Sequence, residues 1–580
     1  MASQKNALAT NIYLEIDGSE CAPKVKAEIL EVTVDQNVHL SGMFSIRLND
    51  VGLKILDEGP FDIAKTVKIS ADNVDGKKTV LIEGEITALE PEFGEGMLAE
   101  LVVRGFDQSH RLLREVKSKS FLNQKDSDLA NTIAQGAGLS ANVDATSTVY
   151  DYIAQYNMTD LQFLMHRAWR IGYECFVQDN KLNFRKPLTG SGEAKLLWGQ
   201  DLLEFHPRMT TMEQVDEVVV KGWDVAKKEA IVGRASGSDG NLYPEIKESK
   251  NGSGWAKEFG SSKMIILDEP VVSQSEADIL AQARVDELAG SFVVAEGIAF
   301  RRPDICAGKI IGIEGIGKRF SGSYLVTQAV HSYSAAGLET HFAVRGSRLG
   351  MISEFASQAA HRHSQIPGAV IGIVTNNEDP ENWGRIKVAF PWVNEEIESD
   401  WLRVMGIGAG ENRGMCHIPQ VDDEVVVTFD QGEFGRGFVL GGVWNGTTPL
   451  PDGVEGSEIA DIRIWKSKNG HQILICDNAD DKVELLTAAG HTILLDDANK
   501  LLQVKTSGGQ ELTFDDNGNT IDLKGNGELT VDAGSTITIK AGADVSIEAS
   551  ASLNLKATAG ISIDAGGGTV DIKGSMINLN

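Results

Sequence analysis

Short apolar pairs repeated at a fixed interval fill residues 521–580 of the chain. In each pair the two apolar residues are separated by one position, and six successive pairs start eight residues apart. The pairs are Ile521/Leu523, Leu529/Val531, Ile537/Ile539, Val545/Ile547, Leu553/Leu555 and Ile561/Ile563, followed by the less regular Val570/Ile572 and Ile577/Leu579. An apolar residue at every second position indicates a strand with one buried face, and a constant interval between such strands is typical of a β-solenoid.

The residue that follows each pair alternates in charge along the repeat. The series is Lys524, Asp532, Lys540, Glu548, Lys556, Asp564 and Lys573. In stacked parallel strands, equivalent residues lie about 4.8 Å apart, so opposite charges attract and like charges repel. Each octad should therefore stack on an octad that is an odd number of repeats away. A single chain with three octads per coil satisfies this rule, and so do three chains wound together.

The expected length of the solenoid favours three intertwined chains. A single chain would form a stub of roughly 12 Å with two open ends, whereas intertwined chains would form a needle of roughly 38 Å. No aromatic residue follows Phe514 and no proline follows Pro451, which suits a thin and uninterrupted needle. We therefore predict a homotrimeric β-helix with the six regular pairs inside and the alternating charges forming ladders between strands. The charge pattern by itself leaves the single-chain coil open.

Charge and cysteine content restrict the classes of function. The chain has 83 acidic and 54 basic residues and a formal net charge of −29 at pH 7, which argues against binding nucleic acid or an anionic membrane. Its five cysteines are far apart and form no CxxC motif, which favours reduced thiols in a cytosolic chain. The N-terminal residues lack an apolar signal core, and no apolar stretch reaches 18 residues. We expect synthesis in the cytoplasm without a signal peptide, and release by lysis or by a dedicated machine.

The remaining sequence predicts a mostly β chain with a few helices. Ser127 can cap a helix that runs through Ala134, Thr159 or Asp160 can cap a second helix that stops at Gly172, and a third is expected from about Ser275 to Leu288. Residues 220–224 (VKGWD) echo residues 103–107 (VRGFD), which suggests two related barrel units. The predicted domains are a hub barrel at 1–115, a helical or mixed hub domain at 116–210, a second hub barrel at 211–350, a linker at 351–367, an OB-fold barrel at 368–450, a β collar at 459–520 and the octad needle at 521–580.

Several short motifs resemble those of VgrG-type spike proteins. The resemblance is carried in the barrel by GIV at 372–374, DPENWGRIKV at 379–388, FPW at 390–392, WLRV at 401–404, Pro419 with DEVVV at 423–427, and VLGGVWNG at 439–446. Upstream, VRGFD at 103–107, QYN at 155–157 with DLQFL at 160–164, and YLVT at 324–327 are similar to the hub domains of that family. Each motif is weak alone, but their order is specific, and with the octads they cover nearly the whole chain.

The resemblance implies the central spike of a contractile injection system. Such spikes are homotrimers whose hub contacts the inner tube and baseplate, whose OB domain forms a neck, and whose β-helix carries a small PAAR-like tip protein and pierces the target membrane. Effector cargo is possible, and the spike would leave the cell as part of the assembled particle. The family includes type VI secretion spikes, myophage spikes and spikes of extracellular phage-tail-like particles. The short, undecorated chain favours the last of these, with a type VI spike as the alternative.

The residues point to a structural protein and not to an enzyme. Only about a dozen residues separate Gly446 from Ile459, so no domain of the usual size fits between barrel and needle. A β-solenoid polysaccharide lyase or glycan-binding module is the alternative of another class, and the lack of aromatic residues after Phe514 counts against it. We predict no cofactor, no metal site and no catalytic residue.

Four segments contain residue types found in ligand sites, and each is better explained by local structure. His361 and His363 could form an iron site in a trimer, but they lie in the linker and not at the needle tip. Residues 515–519 (DDNGN) lack the spacing of a calcium loop and predict a β-turn. Residues 406–410 (GIGAG) lack the spacing of a phosphate loop. The acidic residues 422–424 (DDE) suit a turn at the start of a strand.

Overall fold

The structure is a computed structural model that describes residues 10–73, 76–237, 244–344, 366–393, 397–452, 454 and 456–579. It divides into two compact units, residues 1–444 and residues 445–580. His361, His363 and most of the predicted linker lie outside the described residues.

Helices are few, and most of the regular structure in the described residues is β. The α-helices are α1 (Pro23–Lys26), α2 (Lys54–Glu58), α3 (Asp126–Gly136), α4 (Asp160–Arg170), α5 (Gly252–Ala256) and α6 (Gln274–Gly290). Short 3₁₀ turns span Gln108–Leu113, Lys257–Phe259, Asp430–Gly432 and Gly456–Asp461. The mostly β fold class predicted from the sequence is therefore confirmed.

The predicted helix α4 is confirmed together with its cap. Thr159 Oγ1 accepts a hydrogen bond from the backbone N–H of Gln162, and the Gln162 side chain accepts one from the backbone N–H of Thr159 at 3.0 Å. This capping box satisfies N–H groups that have no partner in the first helical turn. The helix stops just before Gly172, whose φ of +70° suits a residue without a side chain.

The predicted cap of helix α3 is corrected by the structure. The helix begins two residues earlier than expected, with Lys125 and not Ser127 at the N-cap position. The Asp128 carboxylate accepts a hydrogen bond from the backbone N–H of Lys125 at 3.3 Å, so an acid inside the first turn caps the helix in place of Ser127. The backbone N–H of Ser127 instead donates to Thr146 Oγ1 at 3.2 Å.

An eleven-stranded sheet dominates the first unit. Its strand order is β14-β19-β23-β22-β3-β4-β7-β6-β5-β1-β2. The strands are β1 (Ile12–Ile16), β2 (Ser19–Glu20), β3 (Ile29–Asn37), β4 (Met43–Asn49), β5 (Thr66–Asp72), β6 (Lys78–Gly94), β7 (Leu98–Asp107), β14 (Leu202–Met209), β19 (Val293–Phe300), β22 (Gln328–Ser334) and β23 (Gly337–Val344). Alternate residues such as Phe44, Ile46 and Leu48 are fully buried, which is the period-2 pattern of a strand with one core face. Because β22 pairs with β3, segments predicted as separate barrels share one sheet.

Smaller sheets complete the hub part of this unit. They are built from β8 (Val116–Gln124), β9 (Ser140–Val143), β10 (Tyr150–Thr159), β11 (Glu174–Gln178), β12 (Lys181–Arg185), β13 (Ala194–Leu197), β15 (Glu217–Asp224), β16 (Glu229–Ala235), β17 (Glu245–Ile246), β18 (Lys263–Ile266), β20 (Ile310–Glu314) and β21 (Gly322–Leu325). The two echoing motifs of the sequence occupy different sheets, since residues 103–107 lie in β7 and residues 220–224 lie in β15. The relation between two barrel units that the echo suggests stays a prediction.

The strands predicted for the OB barrel form a five-stranded sheet in the order β25-β24-β27-β28-β26. They are β24 (Ala369–Asn376), β25 (Lys387–Ala389), β26 (Arg403–Val404), β27 (Glu424–Phe429) and β28 (Gly437–Gly442). Phe390, Val425, Val427 and Val439 are fully buried inside it. Strand β10 also contacts this core, because Tyr156 stacks on Phe434 with 4.8 Å between the ring centroids.

The second unit contains one seven-stranded sheet. Its strands are β29 (Ile462–Lys466), β30 (Gln472–Cys476), β31 (Lys482–Leu486), β32 (Thr492–Asp496), β33 (Leu501–Lys505), β34 (Glu511–Asp515) and β35 (Thr520–Lys524). They follow one another in chain order, and each pairs antiparallel with the next. Residues 525–579 are described, but no strand is assigned among them within the single chain.

Candidate assembly surface

The seven-stranded sheet places two apolar side chains of most strands on one face. Val483 lies opposite both Ile475 and Leu495, and Leu485 lies opposite both Ile473 and Ile493. Because every strand has five residues and alternates in side-chain direction, its second and fourth residues share a face. This apolar face consists of Ile473, Ile475, Val483, Leu485, Ile493, Leu495, Leu502, Val504, Leu512, Phe514, Ile521 and Leu523, with Trp465 on the first strand.

Much of this apolar face is uncovered in the single chain. From Ile473 to Phe514 the exposed side chains of the face keep between 37 % and 45 % of their surface accessible, and Ile521 keeps 69 %. Monomeric proteins rarely leave a continuous apolar surface of this kind open to water. Burying one aliphatic side chain of this size is worth about 1.5–3 kcal/mol, so a face of this extent favours association strongly.

The opposite face of the sheet is mixed, because it carries Leu474, Leu486 and Leu494 as well as polar side chains. Gln503 donates a hydrogen bond to Glu511 Oε1 at 2.8 Å, and Asp496 accepts hydrogen bonds from the backbone and side chain of Asn499. The donors to Asp496 lower the pKa of its carboxyl. The second and fourth residues of these strands are the more exposed ones and are apolar, which identifies the apolar face as the one to be covered.

Side chains in the hairpin turns tie the strands together at one end of the sheet. His471 Nδ1 accepts a hydrogen bond from the backbone N–H of Ala488, and His491 Nδ1 accepts one from Ser507, both at 3.2 Å. Each of these bonds connects one hairpin turn to the next turn at the same end of the sheet, two strands further along the chain. The sheet is thus held in register by its turns as well as by its backbone ladder.

The residues predicted to fill the needle core are exposed in the single chain, and not buried. Ile521 and Leu523 lie in β35, where they continue the apolar face and pair with Phe514 and Leu512. The other ten keep between 54 % and 71 % of their surface accessible, and they are Leu529, Val531, Ile537, Ile539, Val545, Ile547, Leu553, Leu555, Ile561 and Ile563. One copy forms no strand beyond β35, so these side chains have nothing to pack against within the chain. Their place inside a needle requires further copies and stays a prediction.

The predicted charge ladder is likewise not formed within one chain. Lys524 lies opposite Glu511 in the sheet, where the two side chains have opposite charges. The remaining members are exposed, and they are Asp532, Lys540, Glu548, Lys556, Asp564 and Lys573. Contacts between these charges need strands stacked from neighbouring copies, so the ladder also stays a prediction.

Sequence reasoning located the strands of this sheet but did not identify its apolar face as one surface. The signal was present, because pairs such as Ile493/Leu495 have the same i, i+2 spacing as the octad pairs. Only the interval differs, at nine or ten residues instead of eight. The longer interval matches the hairpin turns, and this explains why the pairing here is antiparallel and within one chain.

The motif at 379–388 is an arginine-clamped turn of the barrel. The Asp379 carboxylate accepts hydrogen bonds from the backbone N–H groups of Glu381, Trp383 and Arg385, and the Arg385 side chain reaches it at 2.7 Å. The Arg385 hydrogen bond, followed by these backbone donors, holds the pKa of Asp379 well below its usual range. Gly384 has φ +73°, and a Cβ there would lie 3.0 Å from Ile418. The motif therefore has a structural role.

Two buried carboxyl groups of the hub carry raised pKa values. Burial raises the pKa of Asp107 to about 6, although its carboxylate accepts hydrogen bonds from Gly42 at 2.7 Å and from Ser109 at 2.9 Å. Burial also raises the pKa of Glu174 to about 7, opposed by Arg185 at 3.9 Å. Neither group belongs to a pair of acids or to a nucleophile arrangement, so we assign them to folding energetics.

The segments considered as ligand sites have the local structures expected for turns and loops. The backbone N–H of Gly518 donates to Asp515 Oδ1 at 2.9 Å, which closes the predicted turn. Gly406–Gly410 lies in an exposed loop between β26 and β27, and Asp423 accepts a hydrogen bond from the backbone of Gln420. Among the described residues, no cluster of three or more His, Cys, Asp or Glu side chains could hold a metal ion. No helix in the described part of the chain is both long and apolar enough to cross a membrane.

Named relatives of this chain are spike proteins of type VI secretion systems. The chain is 22% identical over 414 residues to the type VI secretion system spike protein VgrG1b of Pseudomonas aeruginosa, which covers 67% of this chain and 55% of that protein. It is 34% identical over 95 residues to the spike protein VgrG3 of Vibrio cholerae, which covers 15% of this chain and 9% of that protein. The chain thus spans about half the length of the first of these relatives.

A solved structure supports the same fold. The Francisella PdpA-VgrG complex in its lidded form contains a chain that aligns with a TM-score of 0.51 at 10% identity, covering 86% of this chain and 81% of that one. This similarity shows a shared fold over most of the chain.

Two protein families match the sequence directly. Residues 370–444 match the type VI secretion system/phage-baseplate injector OB domain, and these residues span the five-stranded barrel. Residues 7–335 match the Alg8 N-terminal domain, and this match covers more than half of the chain. The chain therefore belongs to the Alg8 N-terminal domain family, carries an injector OB domain and is a relative of the VgrG-type spike proteins.

Proposed function

We propose that this chain is the structural spike of a contractile injection machine of the type VI or phage-tail-like kind. In this proposal the chain forms a homotrimer, the hub contacts the inner tube and baseplate, and the needle carries a small PAAR-like tip protein and possible effector cargo. It acts mechanically, without catalysis, as part of a particle delivered outside the cell. The injector OB domain and the named spike relatives support this reading over a β-solenoid lyase.

The observation that carries the proposal is the open apolar face of residues 465–523 together with the exposed octad pairs. In a single chain Ile539 is 71 % accessible and Ile563 is 68 % accessible. Each regular octad contains two exposed apolar residues of this kind. A second and third copy would bury them, and strands closed by neighbouring chains leave no free edge along the shaft. The alternation from Lys524 to Lys573 supports stacking of each octad on the next octad of a neighbouring copy.

The solution mass of the purified chain, measured by light scattering over a dilution series, tests the proposal. We expect a mass of three times 62.5 kDa that does not fall on dilution. A monomer with the apolar face still exposed would contradict the spike assignment, because a thin needle cannot form from one copy. Hydrolysis or binding of a polysaccharide by that monomer would favour the solenoid alternative.

A further inference from the structure

The β-hairpin formed by β6 and β7 extends beyond the rest of its sheet. The last residue of β4 that pairs with β7 is Asn49, opposite Glu100. The backbone N–H of Asp50 also donates to the carbonyl of Ala99, and beyond that bond β6 and β7 pair only with each other among the described residues, the last pair being Gly94 with Leu98. The tip of this hairpin is therefore a projection supported by its own two strands.

Three large apolar side chains cover the projecting tip. Phe93 is 68 %, Met97 87 % and Leu98 61 % accessible. The segment from Glu90 to Glu100, which we call the acidic tip, contains four glutamates and no basic residue. Arginines pair with Glu90, Glu92 and Glu100, so Glu95 is the glutamate that gives the tip its charge. An exposed apolar cluster of this kind is typical of a protein-binding surface.

Ion pairs on the supporting strands make the projection rigid. Glu92 and Glu100 lie directly opposite each other, and Arg47 binds both, at 2.8 Å and 2.6 Å. Arg104 binds Glu90 at 2.9 Å in the same way. Without Arg47 the two facing carboxylates would repel. The hairpin is thus held straight with its apolar tip exposed.

A surface with the opposite charge lies on the two-stranded sheet of β8 and β10. The segment from Arg114 to Lys125, which we call the basic ribbon, contains four basic residues and one acid in a chain whose net charge is −29. Val116 is 58 % and Leu122 53 % accessible on it. Within the described part of the chain β8 pairs with β10 alone, and of the basic residues Lys117 already binds Asp160. The basic ribbon therefore offers apolar and positively charged contacts along one exposed strand.

The acidic tip and the basic ribbon lie near opposite ends of β7. Leu98 begins this strand and Asp107 ends it, so about 34 Å of extended backbone separates them, and the ribbon follows after the short turn at 108–113. Their apolar side chains are exposed in the same chain, so neither surface covers the other. A molecule with complementary surfaces at two ends can bind head to tail, and such contacts close into a ring.

We propose that the acidic tip of one copy docks on the basic ribbon of the next copy and so closes the hub of the trimer. This inference rests on the proposed trimer and extends it by naming the hub surfaces that meet. Phe93, Met97 and Leu98 contact the apolar side chains of the ribbon, while Glu95 faces its lysines. The octads and the apolar face hold the trimer at the other end of the sequence.

Photocrosslinking in the full-length protein tests this contact. A benzophenone amino acid replaces Met97, which is 87 % accessible and can be changed without disturbing the core. The matched control carries the same group at Met212, which is 90 % accessible on the hub. We expect a two-chain product from position 97 only, with the crosslinked peptide from residues 114–125 of another copy.

Charge reversal provides an independent readout. Lys119→Glu should lower the yield of the crosslink roughly fivefold, the effect of one partly screened ion pair, and Glu95→Lys in the same chain should restore it. A protein of trimeric mass that gives no crosslink from position 97, or one to another segment, overturns the proposed contact and leaves the spike assignment intact. A monomeric mass overturns both.

Discussion

Replacing Ile493 by aspartate should abolish assembly at neutral pH. Ile493 lies in the middle of the apolar face, between Leu485 and Val504 on the neighbouring strands, and all three are 39–42 % accessible in the single chain. In the proposed trimer this accessible surface is buried, so the substitution places three carboxyl groups in an apolar interface. Such groups are buried in the neutral form when no partner is present.

The size of the effect follows from the cost of neutralising aspartate. Taking an unperturbed pKa of about 3.9, protonation at pH 7 costs about 4 kcal/mol per carboxyl, or about 13 kcal/mol for three. This is comparable with the whole stability of a typical domain, about 5–15 kcal/mol. The trimer of the Ile493→Asp variant should therefore be lost at pH 7 and should begin to recover near pH 4, where the cost of protonation disappears.

Light scattering at pH 7 and pH 4 measures this directly. Thr492→Asp is the matched control, because Thr492 lies on the other face of the same strand, where its cross-strand partner is Lys505. It should leave the trimer intact at both pH values. Trimeric Ile493→Asp at pH 7 would refute the reasoning that the apolar face is the interface. Ile539→Asp applies the same test to the octads. If the trimer of this variant dissociates at pH 7 and forms again at pH 4, the octad pairs are also part of the interface.

Three further substitutions test the hub and the barrel. Asp107→Asn should flatten a pH dependence of the stability. Because the folded pKa of Asp107, about 6, lies above the unfolded value of about 3.9, its stabilising contribution is complete below pH 4 and is lost as the pH rises through 6. About 2 kcal/mol of this loss falls between pH 4.5 and pH 7.5, where urea unfolding measures it. Phe434→Ala should destabilise the barrel by about 3–5 kcal/mol, which hydrogen exchange of β27 measures. Because the ring of Phe434 stacks on Tyr156, the double variant with Tyr156→Ala should show a coupling energy of about 1 kcal/mol, and purely additive effects would contradict the stacking contact. Asp379→Asn should loosen the turn up to Arg385 by about 1–3 kcal/mol, since an amide cannot accept all of its donors, and unchanged exchange of the backbone amide at residue 385 would count against the clamp.

The sequence predicted those helices and strands that are specified by residues only a few positions apart. The capping box at Thr159 needs only the side chain three residues later, and both are adjacent in the sequence. The five barrel strands are short runs bounded by turn residues, and all of them lie within the barrel predicted at 368–450. The cap of α3 was misplaced because Ser127 and Asp128 both suit a helix start, and the carboxylate of Asp128 is the one that binds the N-cap backbone.

Long-range pairing could not be predicted from the sequence. Strand β22 joins β3 through pairs such as His331 with Val34, which are separated by nearly three hundred residues. The alternation of apolar and polar residues predicts which face of a strand is buried, but it does not predict which strand is its neighbour in the sheet. The candidate assembly surface shows the same limit, because Ile493 was recognised as part of a strand while its membership of one continuous face required the register.

The distribution of buried residues suggests that the two units depend on association to different degrees. The core clusters of the described residues lie between Leu14 and Val439, so the first unit has its own hydrophobic cores. In the second unit, alternate apolar residues from Ile473 onwards are exposed, and the octad pairs are exposed more fully. A segment that buries its apolar surface only against other copies is stable only when those copies are bound, so its folding and its assembly are one equilibrium. We infer that the first unit folds within each chain, and that the apolar face and the octads become ordered together when three chains meet.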